Sequence, residues 1–170
     1  KTIDGGGTWT VLTDDLPVLG ISDIAVDYNN PNIIYIATGD ADGVRLFDNN
    51  LGGGTPTLGV MKTIDGGNTW NTILVSNPSI EKERISRLLI DPVNSQILFA
   101  GTSDGIWKTT DGGVSWTLPS LLGEDISDME FKPNNSSYVY ASARSSNGNS
   151  KFYRSINNGA SWTLISSFTD

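Results

Sequence analysis

Histidine and cysteine are both absent from this chain of 170 residues, and basic residues are few, 11 against 19 acidic ones. Without them there is no disulfide framework, thiol nucleophile, Ser-His-Asp triad or His-ligated zinc. Any chemistry must be carried by carboxylates, hydroxyls, lysine or arginine. A formal net charge of −8 argues against nucleic acid or an anionic membrane as the natural partner. No apolar run reaches the roughly 18 residues that a helix needs to cross a bilayer, so no membrane span is expected.

What is abundant is repetition, and it governs the architecture. One eight-residue phrase occurs as TIDGGGTW at 2–9, TIDGGNTW at 63–70, TTDGGVSW at 109–116 and SINNGASW at 155–162. Its acidic or amide residues, Asp4, Asp65, Asp111 and Asn157, fall 61, 46 and 46 positions apart. A second phrase recurs between the copies: ISDIAVDYNNPNIIYIAT from Ile21, ISRLLIDPVNSQILFAGT from Ile85 and ISDMEFKPNNSSYVYASA from Ile126. A unit of 46 residues is thus repeated. The longer copy carries an insertion at 41–58, rich in Gly, Asn and Asp, that reads as a long loop.

Apolar runs within each unit are short, β-branched or aromatic, and bounded by Asn, Pro, Gly and Asp, with no sustained helical period. Four strands per unit are expected. Strand A lies at 21–27, 85–91 and 126–131, and strand B at 33–38, 97–102 and 138–143. Strand C lies at 59–64, 106–110 and 152–156, and strand D at 69–74, 115–118 and 161–165, with an orphan D at 8–12. Pro31, Pro92 and Pro133 fall in the A–B connections, where a missing ladder donor costs nothing. Such a repeat is the pattern of β-propeller blades. The expected fold is all-β: an arc of blades at about 21–75, 85–118 and 126–165 plus a leftover C–D hairpin at 1–12. Closed rings take about four to eight blades. Residues 1–170 are therefore expected to form part of a larger propeller, meeting further blades of the same chain or a partner chain.

In the repeated phrase an Asp side chain can accept backbone N–H groups of its own turn. Gly6, Gly67, Gly113 and Gly159 supply a position suited to positive φ. Trp9, Trp70, Trp116 and Trp162 are expected to bury their rings against neighbouring strands, and the Asn157 copy to be the weaker turn. The phrase resembles the Asp-box, or bacterial neuraminidase repeat. The longer unit, with DPVN and AGTSDGIWKTTDGGVSW, is similar to blades of the sortilin-type receptor domain and of xyloglucan-cleaving glycoside hydrolases. The stretch 37–71 is similar to a blade of large exported Bacteroidetes proteins. The resemblance implies a propeller with an exported, extracellular or cell-surface location. It also implies a structural place for Asp4, Asp65 and Asp111, on the face away from an active site.

Two function classes follow. One is a binding or scaffolding module with a protein or polysaccharide ligand and no catalysis of its own. The other is part of a glycoside hydrolase propeller acting on a β-glucan or related polysaccharide. A glycosidase needs two carboxylates at a fixed separation. The D–A and B–C connections share one rim, whose acids are Asp14, Asp15, Asp40, Asp42, Asp48, Glu81, Glu83, Glu124 and Asp125. None lies in a catalytic motif, and the R-T-D-x-G-G-x-Y stretch that the xyloglucanase resemblance would bring is missing. No catalytic residue is assigned, and the binding module is the preferred reading.

Candidate ligand residues are Asp40, Asp42, Phe47 and Asp48 of the insertion, together with Arg87. Calcium is the one cofactor that Asp40, Asp42 and Asp48 would suit, but Gly52, Gly53 and Gly54 weaken preorganisation and favour a solvated loop. Asp23, Arg87 and Asp128 share one column of the innermost strands, so Arg87 is expected to bridge its neighbours. A sharper alternative makes Arg87, with Asp40 and Asp42, a polar floor for a ligand lying across the rim. Trp107 shares a column with Met61 and Tyr153 and is expected in the core.

Overall fold

The computed structural model describes residues 1–17, 20–39, 57–74, 84–117, 120–144 and 149–168. Among these residues there are eleven strands and no helix. The first sheet runs β1 (Ile21–Val26), β2 (Ile34–Thr38), β3 (Val60–Thr63) and β4 (Asn71–Leu74), in that spatial order. The second comprises β5 (Ile85–Ile90), β6 (Leu98–Thr102) and β7 (Gly105–Thr109). The third comprises β8 (Asp125–Lys132), β9 (Asn135–Arg144), β10 (Ser150–Ser155) and β11 (Thr163–Phe168). Every pairing is antiparallel between chain neighbours.

The sheets stack face to face, with β5 packed between β1 and β8. Strand alternation divides the core into two layers. Tyr35, Ala37 and Val60 of the first sheet meet Ile85, Leu88, Ile90, Leu98 and Ala100 of the second. Leu89, Phe99 and Ile106 leave the opposite face of the second sheet and meet Ile126, Met129, Phe131, Val139, Ala141 and Ala143 of the third. Strand β6 is buried along its whole length, which is why LFAGT shows no polar alternation. At Gly101 a Cβ would stand 2.8 Å from Ile126 Cγ2, so the absent side chain sets how closely the sheets approach.

The two ends of each sheet are chemically distinct. At one end the repeated hairpin lies against the A–B turn: Gly66 N–H donates to Asn32 O, Gly112 N–H to Gln96 O and Asn158 N–H to Ser137 O. At the other end Gly39 N–H donates to Gly20 O, and Leu58 N–H to Thr38 Oγ1. The residues flanking the insertion therefore leave and re-enter the sheet at the end opposite the hairpins.

Three expectations are corrected. The second sheet has three described strands, since residues 115–117 form no ladder. Thr117 N–H makes one bond to Lys108 O, and Ser120 pairs with Ile106 across an isolated bridge. The orphan strand at 8–12 is likewise absent, replaced by the Thr10 N–H to Lys1 O bond of a lone hairpin. Strand β9 starts at Asn135, three residues earlier than expected. Pro133 and Asn134, the latter at φ 62°, close a tight turn that lets Lys132 pair Asn135.

Candidate functional site

The hairpins hold their carboxylates in one repeated geometry. Thr2, Thr63 and Thr109 donate from Oγ1 to Oδ1 of Asp4, Asp65 and Asp111 (2.8, 2.7 and 2.7 Å). The same hydroxyls accept the N–H of Gly6, Gly67 and Gly113 (2.9, 3.0 and 3.0 Å). Oδ1 also accepts the N–H of Thr8, Thr69 and Ser115, each at 2.9 Å, while their hydroxyls donate to Oδ2. These bonds favour the charged form. The Thr8 N–H leads at Asp4, and the Thr69 and Ser115 hydroxyls lead at Asp65 and Asp111, holding all three carboxyls far below the usual carboxylate range. A carboxyl so held is a poor general acid or base near neutral pH. Asn157 keeps the geometry without charge, accepting Ser161 N–H on Oδ1 and donating from Nδ2 to Ser161 Oγ, both at 2.9 Å.

The tryptophans divide into latches and one exposed ring. Trp70 Nε1 donates to Leu12 O and Trp116 Nε1 to Ile73 O, both at 3.1 Å and each three residues beyond the preceding copy's tryptophan. Trp162 is half-buried, and its Nε1 has no partner among the described residues. Trp9 departs from the expectation of burial: among the described residues it is 73% exposed. Trp107 is half-buried against the first core layer.

On the inner strands Arg87 lies among three carboxylates: Asp128 at 3.2 Å, Glu130 at 3.3 Å and Asp23 at 3.7 Å. Its Nε also donates to Met129 O. Asp23 accepts Leu88 N–H at 2.6 Å, so Asp23 and Arg87 together join three sheets at their inner edge. Beside them runs a groove of about 310 Å³, lined by Ile24, Val26, Tyr28, Leu89 and Glu130. Ile24 and Tyr28 are exposed in it.

On the rim opposite the hairpins, Glu124 Oε1 accepts Lys151 Nζ and the Tyr153 hydroxyl, and Arg84 pairs with Asp125 at 2.8 Å. The Glu124 bond raises the Lys151 pKa against a smaller opposing effect of burial. Burial, then the Glu124 bond, raises that of Tyr153. Asp14 and Asp15 are exposed. Asp40, Asp42, Phe47, Asp48, Glu81 and Glu83 lie outside the described residues, and with them the calcium expectation.

Sequence reasoning passed over a serine column. Ser22 Oγ donates to Ile85 O at 2.6 Å, and Ser86 Oγ to Ile126 O, each reaching the opening isoleucine of the next sheet's inner strand. The recurring Ile-Ser at the start of each A strand was the available signal.

No protein-family profile matches the chain. Xyloglucanase Xgh74A of Acetivibrio thermocellus is 32% identical over 145 residues, 78% of this chain and 15% of that protein. A xyloglucanase of Hypocrea jecorina is 28% identical over 131 residues, 69% of this chain and again 15% of the relative. The chain thus spans about one seventh of the curated relatives it matches. An ancestral GH74 enzyme superposes with a TM-score of 0.65 over 90% of this chain and 19% of its own, at 22% identity. YCF48 bound to D1 peptide superposes with a TM-score of 0.53 over 86% and 39%, at 18% identity. These likenesses establish the fold: the chain is an all-β, partial β-propeller.

Proposed function

We propose that this chain is a binding or scaffolding β-propeller module of an exported or cell-surface protein, built on Asp-box hairpins like those of sortilin-type receptors. The observation that carries this reading is the state of the repeated carboxylates. Asp4, Asp65 and Asp111 are saturated by their own hairpins and held charged. On the opposite rim, Glu124 and Asp125 are neutralised by Lys151 and Arg84. The inner groove, with exposed Ile24 and Tyr28 beside an Arg87 cluster, supplies apolar contact and fixed charge without a free acid–base pair. Its ligand class is polysaccharide or protein, and its lateral partners are further blades of the same chain or of a partner chain.

A second reading is favoured by one finding, the 32% identity to a xyloglucanase. In it the chain contributes blades to a glycoside hydrolase propeller, with insertion residues Asp40, Asp42 and Asp48 supplying polar contacts to a β-glucan. Affinity electrophoresis of the purified chain through xyloglucan, with a reducing-end assay on the same polymer, separates the two. Retardation without new reducing ends supports the binding module. Release of reducing ends that is lost in Asp42→Asn replaces it with the hydrolase reading.

A further inference from the structure

An amine, an amide and a carboxylate meet between the second and third sheets. Strand β7 brings Lys108, the last hairpin brings Asn158, and the turn after β5 brings Asp91. Lys108 Nζ donates to Asn158 Oδ1 at 2.8 Å and also to the Asn158 carbonyl. Asn158 Nδ2 donates to Asp91 Oδ2 at 2.8 Å and to Ser136 O at 2.9 Å. The side-chain amide is thus oriented at both ends, its oxygen toward the amine and its nitrogen toward the carboxylate. Asp91 is itself fixed: it is buried, and its Oδ1 accepts the N–H of Val93 and of Asn94.

The surroundings favour reaction between the amine and the amide. Lys108 Nζ lies 5.2 Å over the ring of Phe99, a fully buried residue. Burial lowers the Lys108 pKa, against a smaller opposing effect of the Asp91 charge. A desolvated lysine gives up its proton more readily and becomes a nucleophile. Its contact with Oδ1 holds it beside Cγ, the carbon it would attack, so the entropy of encounter is already met. The rival attack on Cγ, by the backbone nitrogen of an Asn-Gly pair, is hindered, because the buried Gly159 N–H donates to Ser155 Oγ at 2.8 Å. The first junction is a built-in control. Lys62 and Asp27 stand there at the positions of Lys108 and Asp91, but the hairpin residue is Gly112, which offers only its carbonyl to Lys62 Nζ. Gly5 and Gly66 hold the same place in the other two copies, so the fourth copy alone carries an amide.

We propose that Lys108 and Asn158 join in an intramolecular isopeptide bond, with Asp91 as the proton-transfer group. The Lys108 ammonium gives a proton to Asp91, and the freed Nζ lone pair attacks Asn158 Cγ. The Nζ–Cγ bond forms and the Cγ–Nδ2 bond breaks. Two of the three Nζ protons pass through Asp91 to the leaving nitrogen and one stays on the new amide, so Nδ2 departs as ammonium. No oxidant, reductant or further reactant is consumed. The bond closes a loop between residues 50 positions apart and staples the second sheet to the third.

Mass spectrometry of the purified, denatured chain reads the bond directly. The expected mass lies one ammonia below the 18.2 kDa of the sequence, and a tryptic digest is expected to yield one branched peptide joining Lys108 to Asn158. Lys108→Arg and Asn158→Ala should restore the full mass, and Asp91→Ala should leave most of the chain unlinked. Circular dichroism checks that the variants fold, and the branched peptide of the parent chain is read without them. A parent chain of full sequence mass overturns the proposal. So does an ammonia loss that survives Lys108→Arg, which marks cyclisation at an Asn-Gly pair instead. Undiminished linkage in a folded Asp91→Ala variant overturns the role given to Asp91. Because mass and not ligand binding is read, failure here leaves the polysaccharide test untouched.

Discussion

Asp65 holds its hairpin together through charge, so the turn is sensitive to acid. Its carboxyl is lowered first by the Thr69 hydroxyl, then by Thr63 and the Thr69 N–H. A group with a depressed folded pKa contributes stability that is present above the unfolded value, about 3.9, and lost as pH falls through the folded value. Asp4 and Asp111 act with the same sign. Thermal melting should therefore fall steeply below about pH 4. Asp65→Asn, which copies the neutral Asn157 turn, should lower the melting temperature at pH 7 and flatten its acid dependence. Scanning calorimetry across that range checks this, and an unchanged slope would count against charge as the source. Gly6 and Gly67 allow a second comparison, since both adopt φ +99°. A Cβ at Gly67 would stand 2.7 Å from Leu12 Cδ1, whereas one at Gly6 meets nothing. Alanine brings the same backbone strain at both, so the excess cost at Gly67 isolates overpacking, about 1–3 kcal/mol. Urea unfolding of the two variants measures the difference.

At the scale of the element, the tryptophan latch tests how adjacent blades are joined. Trp116→Phe keeps the ring's apolar contact but leaves Ile73 O without its donor, and should cost about 1 kcal/mol. Trp162→Phe removes a buried N–H that has no described partner, and should be neutral or stabilising. Equal losses in the two variants would overturn this asymmetry. These elements also show what was legible in advance. The inner strands were readable because ISDIAV, ISRLLI and ISDMEF open alike and stand between turns marked by Asn and Pro; β5 and β8 bury matching positions, Leu88 with Met129 and Ile90 with Phe131, whereas their counterparts Ile24 and Val26 in β1 are exposed. The outer strands were less so. Residues 115–117 stand where 69–71 do in the first sheet, yet the outer position pairs on one side only, and here it is held by the Thr117 N–H bond to Lys108 O and by two reciprocal bonds between Ser120 and Ile106. Ser22 and Ser86 went unnoticed because a serine's partner on another sheet leaves no mark on its own sequence neighbourhood.

For the molecule as a whole, the question is what Arg87 does where three sheets converge. Its guanidinium is one positive charge among Asp23, Asp128 and Glu130, and Asp128 and Glu130 are largely exposed. Exposed pairs of this kind contribute about 0–1 kcal/mol, so direct attraction alone makes Arg87 a weak tie. Its removal also leaves three carboxylates facing one another across the inner edge, and that repulsion is long-ranged at low salt. Arg87→Met, which keeps the aliphatic stem, should lower the melting temperature by a few degrees in dilute buffer. In about 1 M salt the screening length shrinks to about 3 Å and most of that loss should disappear. A blade-to-blade tie predicts this salt-dependent loss with polysaccharide retardation unchanged. If Arg87 is instead the floor of a ligand site, retardation should vanish while the melting temperature and its salt dependence stay as in the parent chain. Melting curves at two salt concentrations, read beside the xyloglucan gel, decide between them, and the contact with two neighbouring sheets at once favours the tie.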